Sequence, residues 1–372
     1  LGLIREALHL MKPVSTLSRR VRDRLPMRAI RNLSDRLLRA DELSLAEQTP
    51  FQVIAEDDIV KLRYYPPAAG QQPDKQPVVI VPPLAVNMLI YDLFPERSLV
   101  AYLRDQGHPL YLIDWGRPGR GQAHFRFSTY LTRFMPALLA KVRSHSGQQV
   151  LSLHGWSLGA VLSYCYTALG DPHIDKLVLL GPPCDYHAGT GGAQNRLLAR
   201  QVRRIEKFTG RQVHNSRREL WHVPGWANAL GFKLMSPGGT IRGYQELLQN
   251  LNDRDYVAAH ATNAAFLDDM VAYPGGFVQD IVRFLITDNV LAQGRLPIRG
   301  CDAKLESISA NVLIVVGDKD PIITPVASKR LVELMPKANC QLIEVPGGHM
   351  SIVSGSAAPT AIWPVVAQFL SL

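Results

Sequence analysis

No stretch of the chain approaches the roughly 18 consecutive apolar residues of a bilayer-spanning helix, so no segment reads as transmembrane. Cysteine is scarce. Cys165, Cys184, Cys301 and Cys340 lie far apart and lack paired ligand spacing. A disulfide framework and a zinc site are therefore not expected, and buried reduced thiols in a cytoplasmic protein are. There is no internal repeat and no low-complexity tract. A composition of 47% hydrophobic, 20% charged and 8% aromatic residues excludes a disordered chain, a collagen-like fibre and a disulfide-stapled miniprotein. With 372 residues there is room for one large or two ordinary domains.

Acidic residues are thin at the N-terminus. Residues 1–40 hold ten Lys or Arg against three acids, so they carry seven of the nine net positive charges. Leu3, Ala7, Leu10, Val14, Leu17 and Val21 recur at steps of three and four, the spacing of a basic amphipathic helix that Pro13 and Pro26 break or restart. The favoured reading is a helix packed on the main domain with its arginines in water. The sharper one is peripheral contact of residues 1–40 with an anionic membrane or a lipid inclusion. A secretory leader is not expected, because the basic residues follow the apolar ones and no compact apolar region appears. No nucleic-acid partner is expected either, since no recognisable module accompanies the charge.

From residue 51 the chain alternates. Short strands are expected at Phe51–Ala55 and Ile59–Tyr65, joined as a hairpin through Glu56-Asp57-Asp58. Compact apolar runs follow at Val78–Val81, Leu110–Ile113, Val150–His154, Lys176–Leu180, Val312–Val316 and Gln341–Val345, making eight strands. Helical stretches at Ser98–Gln106, Thr129–Ser144, Leu158–Leu169, Ala327–Met335 and Ala358–Leu370 separate most of them. Buried strands alternating with helices imply an α/β fold: a mostly parallel sheet flanked by helices. Between Gly181 and about Gly300 the pattern is helical, which predicts a helical cap inserted after the sixth strand, above the C-terminal edge of the sheet. The expected division is an extension at 1–50, core at 51–184, cap at 185–300 and core again at 301–372.

The string from Val150 to Ala160 contains Gly155-Trp156-Ser157-Leu158-Gly159, a G-x-S-x-G nucleophile elbow with a strand leading in and a helix leading out. The turn must lift the Ser157 hydroxyl above the sheet, and the glycines remove side chains that would clash there. Leu158 N–H and the helix N-terminus then face a developing oxyanion. A serine needs a base and an orienting acid. Asp320 follows the strand Val312–Val316, and His349 follows Gln341–Val345 on a Gly347-Gly348 turn. Ser157 as nucleophile, His349 as base and Asp320 as orienter are thus expected, with Asp318 the rival acid. In the loop Pro82–Asn87 the prolines lack N–H groups, so Leu84 is the expected second oxyanion donor and Ala85 its alternative. Arg196, Arg200, Arg203 and Lys207 share one helix face, expected to be a solvated face over Leu198, Val202 and Ile205, with contact to coenzyme A phosphates or an anionic surface as the alternative. His154 and His222 have no ligand spacing and read as structural.

Further strings carry a family resemblance: Pro82-Pro83-Leu84-Ala85-Val86-Asn87, Tyr91-Asp92-Leu93, Ser98-Leu99-Val100, Asp114-Trp115-Gly116, Pro274-Gly275, Asn289-Val290-Leu291, Gly317-Asp318-Lys319-Asp320 and Gly347-Gly348-His349. From about residue 78 onward the chain resembles polyhydroxyalkanoate synthases. The resemblance implies an α/β-hydrolase core with a helical cap, polymerisation of 3-hydroxyacyl groups from coenzyme A thioesters, a catalytic His at His349 and a catalytic Asp at Asp320. Ser157 stands where that family carries Cys. An oxyester is less activated than a thioester, so the first expectation is hydrolysis of a fatty or 3-hydroxyacyl ester or thioester. The second is a synthase or related acyltransferase acting on a 3-hydroxyacyl-CoA, and the third a non-catalytic protein binding a lipid inclusion or a partner. No cofactor or metal is expected, and a homodimer is allowed for.

Overall fold

The structure, a computed structural model, describes residues 26–67, 70, 75–235 and 237–372. Its described residues divide into two units, residues 46–232 with 266–372 and residues 26–45 with 233–265.

The larger unit is built on an eight-stranded sheet. Its strands are β1 (Gln52–Asp57), β2 (Val60–Tyr65), β3 (Val78–Val81), β6 (Leu110–Asp114), β7 (Leu151–Trp156), β8 (Ile174–Leu180), β9 (Asn311–Gly317) and β10 (Asn339–Val345). They lie in the order β1-β2-β6-β3-β7-β8-β9-β10. β2 runs antiparallel to β1 and β6, and every other pairing is parallel. All of β3 and β7 is buried, as continuous apolar strands covered on both faces must be. The edge strand β10 instead exposes Asn339, Gln341 and Glu344, which discourages further pairing.

All eight main-sheet strands form at the expected places in the chain, and four details differ. Glu56 and Asp57, expected in the hairpin turn, extend β1 and pair with Lys61 and Val60, which leaves the turn to Asp58 and Ile59. A two-stranded ribbon, β4 (Asp92–Phe94) with β5 (Arg97–Ser98), precedes the helix Leu99–Asp105. The helix expected from Thr129 starts at Phe127 and contains a π-helical segment, Tyr130–Phe134. The last helix is broken into Ala358–Ala361 and Trp363–Ser371, with Pro364 in the first turn of the second piece.

Strand register aligns the ends of the central strands. Trp156 pairs with Leu180, Leu180 with Val315, and Gly317 with Val345. The loops after β7, β9 and β10 therefore leave from the same edge. Behind them the helix Leu158–Ala168 buries every residue from Gly159 onward. Its hydroxyls bond back along the helix, Ser163 to the Gly159 carbonyl at 2.8 Å and Thr167 to the Ser163 carbonyl at 3.0 Å.

Between β8 and β9 the described residues form helices at Gly192–Thr209, Gly225–Met235, Pro237–Gln249, Arg254–Asp268 and Gly275–Asp280, with isolated bridges but no strand. The helix Gly192–Thr209 does not turn the expected apolar side inward. Leu198 is 43% and Ile205 61% exposed, and the helix buries Gly192 and Ala199 instead. Nor is the basic stripe wholly solvated, since Arg203 Nη2 donates to the Thr287 carbonyl at 2.6 Å.

In the smaller unit Pro26 precedes the helix Met27–Leu38, as its fixed φ allows at a helix start. Ala29, Leu43, Leu247, Leu251, Val257 and Ala261 form a compact cluster. Asn32 donates to the Leu251 carbonyl at 2.8 Å, and Arg254 pairs with Asp35 at 2.5 Å. The apolar repeat from Leu3 to Val21 and the break at Pro13 lie outside the described residues.

Candidate functional site

Ser157 sits between β7 and the helix Leu158–Ala168 with φ 54° and ψ −123°. A positive φ is costly for a residue with a Cβ and persists only where the surroundings enforce it. Here the Ser157 N–H donates to the Leu180 carbonyl at 2.9 Å, while its own carbonyl accepts from Ala160 and Val161. The flanking glycines are required by contact. A Cβ at Gly159 would lie 2.0 Å from the Val81 carbonyl oxygen, and one at Gly155 would lie 2.6 Å from Ala160 Cα. Ser157 and Leu158 are half-buried, in contrast to the wholly buried strand before them. Leu158 is the first residue of the helix, so its N–H has no intrahelical acceptor.

The Asp320 and His349 side chains meet. Asp320 Oδ2 lies 2.6 Å from His349 Nδ1, with both side chains buried. Asp320 Oδ1 accepts from the Ile322 and Ile323 N–H groups at 2.8 Å each, which fixes the carboxylate. With Nδ1 donating to Asp320, the unprotonated Nε2 is left as the basic nitrogen, a tautomer assigned from the hydrogen-bond network. Asp318 is placed differently. Its Oδ1 accepts from the Gly347 N–H at 2.8 Å and so ties down the His349 loop from outside.

The elbow and the histidine loop are held together through Trp156. Its Nε1 donates to the His349 carbonyl at 3.1 Å, and the two rings lie 5.3 Å apart. Gly181, next along the same edge, leaves room for the imidazole, since a Cβ there would come within 3.3 Å of the ring. Among the described residues the Ser157 hydroxyl makes no hydrogen bond to His349. Such bonds are often long in a substrate-free enzyme and tighten around a reacting group.

The loop after β3 carries Leu84, 2% exposed. Trp115 Nε1 donates to the Pro82 carbonyl at 2.8 Å, and the Val271 N–H to the Ala85 carbonyl at 2.9 Å. Asn87 anchors its far end, donating to the carbonyls of Phe266 at 3.2 Å and Asp269 at 3.0 Å and accepting from Leu89. Sequence reasoning gave Trp115, Trp156 and Asn87 no positioning part, because each acts on a segment distant along the chain.

Three further titratable groups differ in character. His154 is fully buried on β7, with neither ring nitrogen hydrogen-bonded. Burial lowers its pKa to about 4, so it is a neutral core residue at ordinary pH. Cys165, on the helix behind Ser157, is fully buried and its thiol is pushed well up by desolvation. Burial, and to a lesser degree Arg120, lowers the pKa of His222. Among the described residues no group of three or more His, Cys, Asp or Glu could hold a metal ion.

A family model described as the alpha/beta hydrolase fold matches residues 76–356. Another, described as the N-terminus of poly-beta-hydroxybutyrate polymerase (PhaC), matches residues 42–103. The poly(3-hydroxyalkanoate) polymerase subunit PhaC of Haloferax mediterranei is 29% identical over 339 residues, 91% of this chain and 67% of that protein. The subunit of the same name from Allochromatium vinosum is 22% identical over 338 residues, 91% and 92% of the two chains. Among solved structures, a candidate lipase from Sulfolobus solfataricus superposes with a TM-score of 0.53 and 17% identity, covering 88% of this chain and 98% of that one.

Proposed function

The chain belongs to the alpha/beta hydrolase fold family, and on that premise we propose that it is a polyhydroxyalkanoate polymerase-like acyltransferase working through Ser157. The observation that carries this reading is the buried Asp320–His349 contact of 2.6 Å at the sheet edge from which the Ser157 elbow also rises. Its polymerase relatives, similar over nine-tenths of the chain, favour transfer to a hydroxyl over transfer to water.

In this mechanism Ser157 Oγ attacks the thioester carbonyl of a 3-hydroxyacyl-CoA while His349 Nε2 takes the hydroxyl proton. The tetrahedral oxyanion is stabilised by the Leu158 N–H and the Leu84 N–H. Collapse breaks the C–S bond, and the thiolate leaves with the proton from His349. An acceptor hydroxyl then gives its proton to His349 and attacks the acyl-serine, and the new tetrahedral intermediate collapses as His349 returns that proton to Ser157 Oγ and the acyl–serine C–O bond breaks. Asp320 keeps the imidazole in the productive tautomer throughout and stabilises its protonated form.

The identity of the nucleophile favours a second reading, hydrolysis. An acyl-serine is an oxyester, less activated for repeated chain transfer than a thioester, and water is the smallest acceptor. Residues 1–40, with their excess of basic side chains, support peripheral contact with an anionic lipid surface, to be tested by salt-sensitive vesicle co-sedimentation.

Intact-mass spectrometry after a fluorophosphonate probe, beside Ser157→Ala, tests the nucleophile. An adduct on the unaltered protein alone is expected, and its absence would remove both readings. Products from 3-hydroxyacyl-CoA then separate them, because transfer yields oligomer and hydrolysis yields free acid.

A further inference from the structure

A second cavity lies at the start of the helical stretch that begins at Phe127. This cavity, of about 210 Å³, is lined by Arg126, His214, Arg218, Asp280, Phe284 and Arg299, among others. It is smaller than the roughly 300–1,000 Å³ of pockets that enclose a whole ligand, and suits a single head group.

The charges in it do not balance. Three guanidinium groups line the cavity against one carboxylate. Asp280 is already committed: its Oδ1 accepts from Arg126 Nη1 at 2.6 Å and its Oδ2 from the Phe127 N–H at 3.0 Å. Arg126 is locked further by Gln279 Oε1 at 3.0 Å, and the Gln279 amide in turn holds the Val213 and Ser216 carbonyls. His214 stands beside this network with Nε2 buried. Nε2 is 3.0 Å from Asp280 Oδ1 but not aligned for a hydrogen bond, so it has no hydrogen-bond partner. Arg218 and Arg299 make no ion pair or hydrogen bond through their guanidinium groups with any described residue. The backbone approach that places Arg218 is close, since a Cβ on Gly275 would lie 1.8 Å from the Arg218 carbonyl oxygen. Phe284 closes the apolar side, its ring 5.2 Å from that of His214.

We propose that this cavity is a phosphate-binding subsite, in which Arg218 and Arg299 clamp a dianionic phosphate group over the fixed Arg126–Asp280 pair. A planar guanidinium fork matches two phosphate oxygens, and two such forks outweigh the single, already paired carboxylate. The inference does not depend on Ser157 chemistry. The phosphate can belong to a nucleotide-bearing carrier such as coenzyme A or be free in solution.

Calorimetric titration of the full chain with inorganic phosphate, coenzyme A and dephospho-coenzyme A tests it. Inorganic phosphate binding should weaken about tenfold or more in Arg218→Ala/Arg299→Ala, with partial recovery in the double Lys variant. Coenzyme A binding more tightly than its dephospho form, with the difference lost in the Ala variant, assigns the phosphate to the carrier. A variant-sensitive response to inorganic phosphate alone assigns it to free phosphate. Phosphate binding that is absent, or unchanged in the Ala variant, overturns the proposal. Far-UV circular dichroism and thermal melts of the same variants show that they fold, without calling on Ser157, which keeps this result separate from the acyl-transfer reading.

Discussion

Asp318 and Asp320 are two residues apart, yet one carboxylate touches the His349 ring and the other touches the backbone of its loop. Exchanging each for Asn separates the two arrangements. Asp320→Asn should lower kcat about 10³–10⁴-fold with little change in KM, because the amide favours the wrong imidazole tautomer. Asp318→Asn should leave kcat within a few fold and cost about 1 kcal/mol of stability in chemical denaturation. His154 makes a different prediction. Unfolded, it takes up a proton below about pH 6.5. In the fold burial holds it neutral down to about pH 4. The unfolded state therefore binds more protons in that window. The neutral-pH stability is intact above about pH 6.5 and falls as the pH drops toward 4, by about 2 kcal/mol at pH 5. His154→Leu should remove this part of the loss in urea melts at pH 7 and pH 5, since no hydrogen bond to the ring is sacrificed.

At the scale of elements, the elbow is a strand–turn–helix unit whose tightness is set by the backbone of β3 as much as by its own residues. The loop after β3 is held from the other side by Asn87, whose two donated bonds reach a segment nearly 180 residues on. Asn87→Ala should cost about 2 kcal/mol and lower kcat more than it changes KM, because it frees the loop that carries Leu84. Steady-state kinetics beside thermal melts would read both effects. The helix Gly192–Thr209 shows where pattern reading reaches its limit. Its hydrophobic spacing is genuine, but the side turned inward carries Gly192 and Ala199, leaving Leu198 and Ile205 in the open. An apolar stripe locates a face. What the face packs against is set by distant chain.

For the whole molecule, the two units differ in how much they bury. The sheet and its helices enclose a core running from Val60 to Met335, whereas among the described residues the apolar cluster of the smaller unit has six buried members. Local opening costs least where few apolar contacts must break. Amides of Pro237–Gln249 and Arg254–Asp268 should therefore exchange with deuterium well before those of β7 and β8, in hydrogen-exchange mass spectrometry of the intact chain. Equal protection of these segments would show that the small unit opens only with the whole.

The sequence by itself determined the strand–helix alternation and the eight main-sheet strands, and it marked the Ser157 elbow, a loop with two candidate acids and the His349 turn in chain order. Buried parallel strands must be apolar along their length, and an elbow needs small residues at fixed offsets, so both leave local signals. The ribbon β4–β5 left none, being strands of three and two residues held by their neighbours. Only the tertiary structure decided between Asp318 and Asp320, because loop geometry after β9 selects which carboxylate faces the imidazole. It alone brought Arg126, Arg218 and Arg299 around one cavity. Three arginines from separate segments share no spacing, and their charges act together only once the backbone has closed the distance between them.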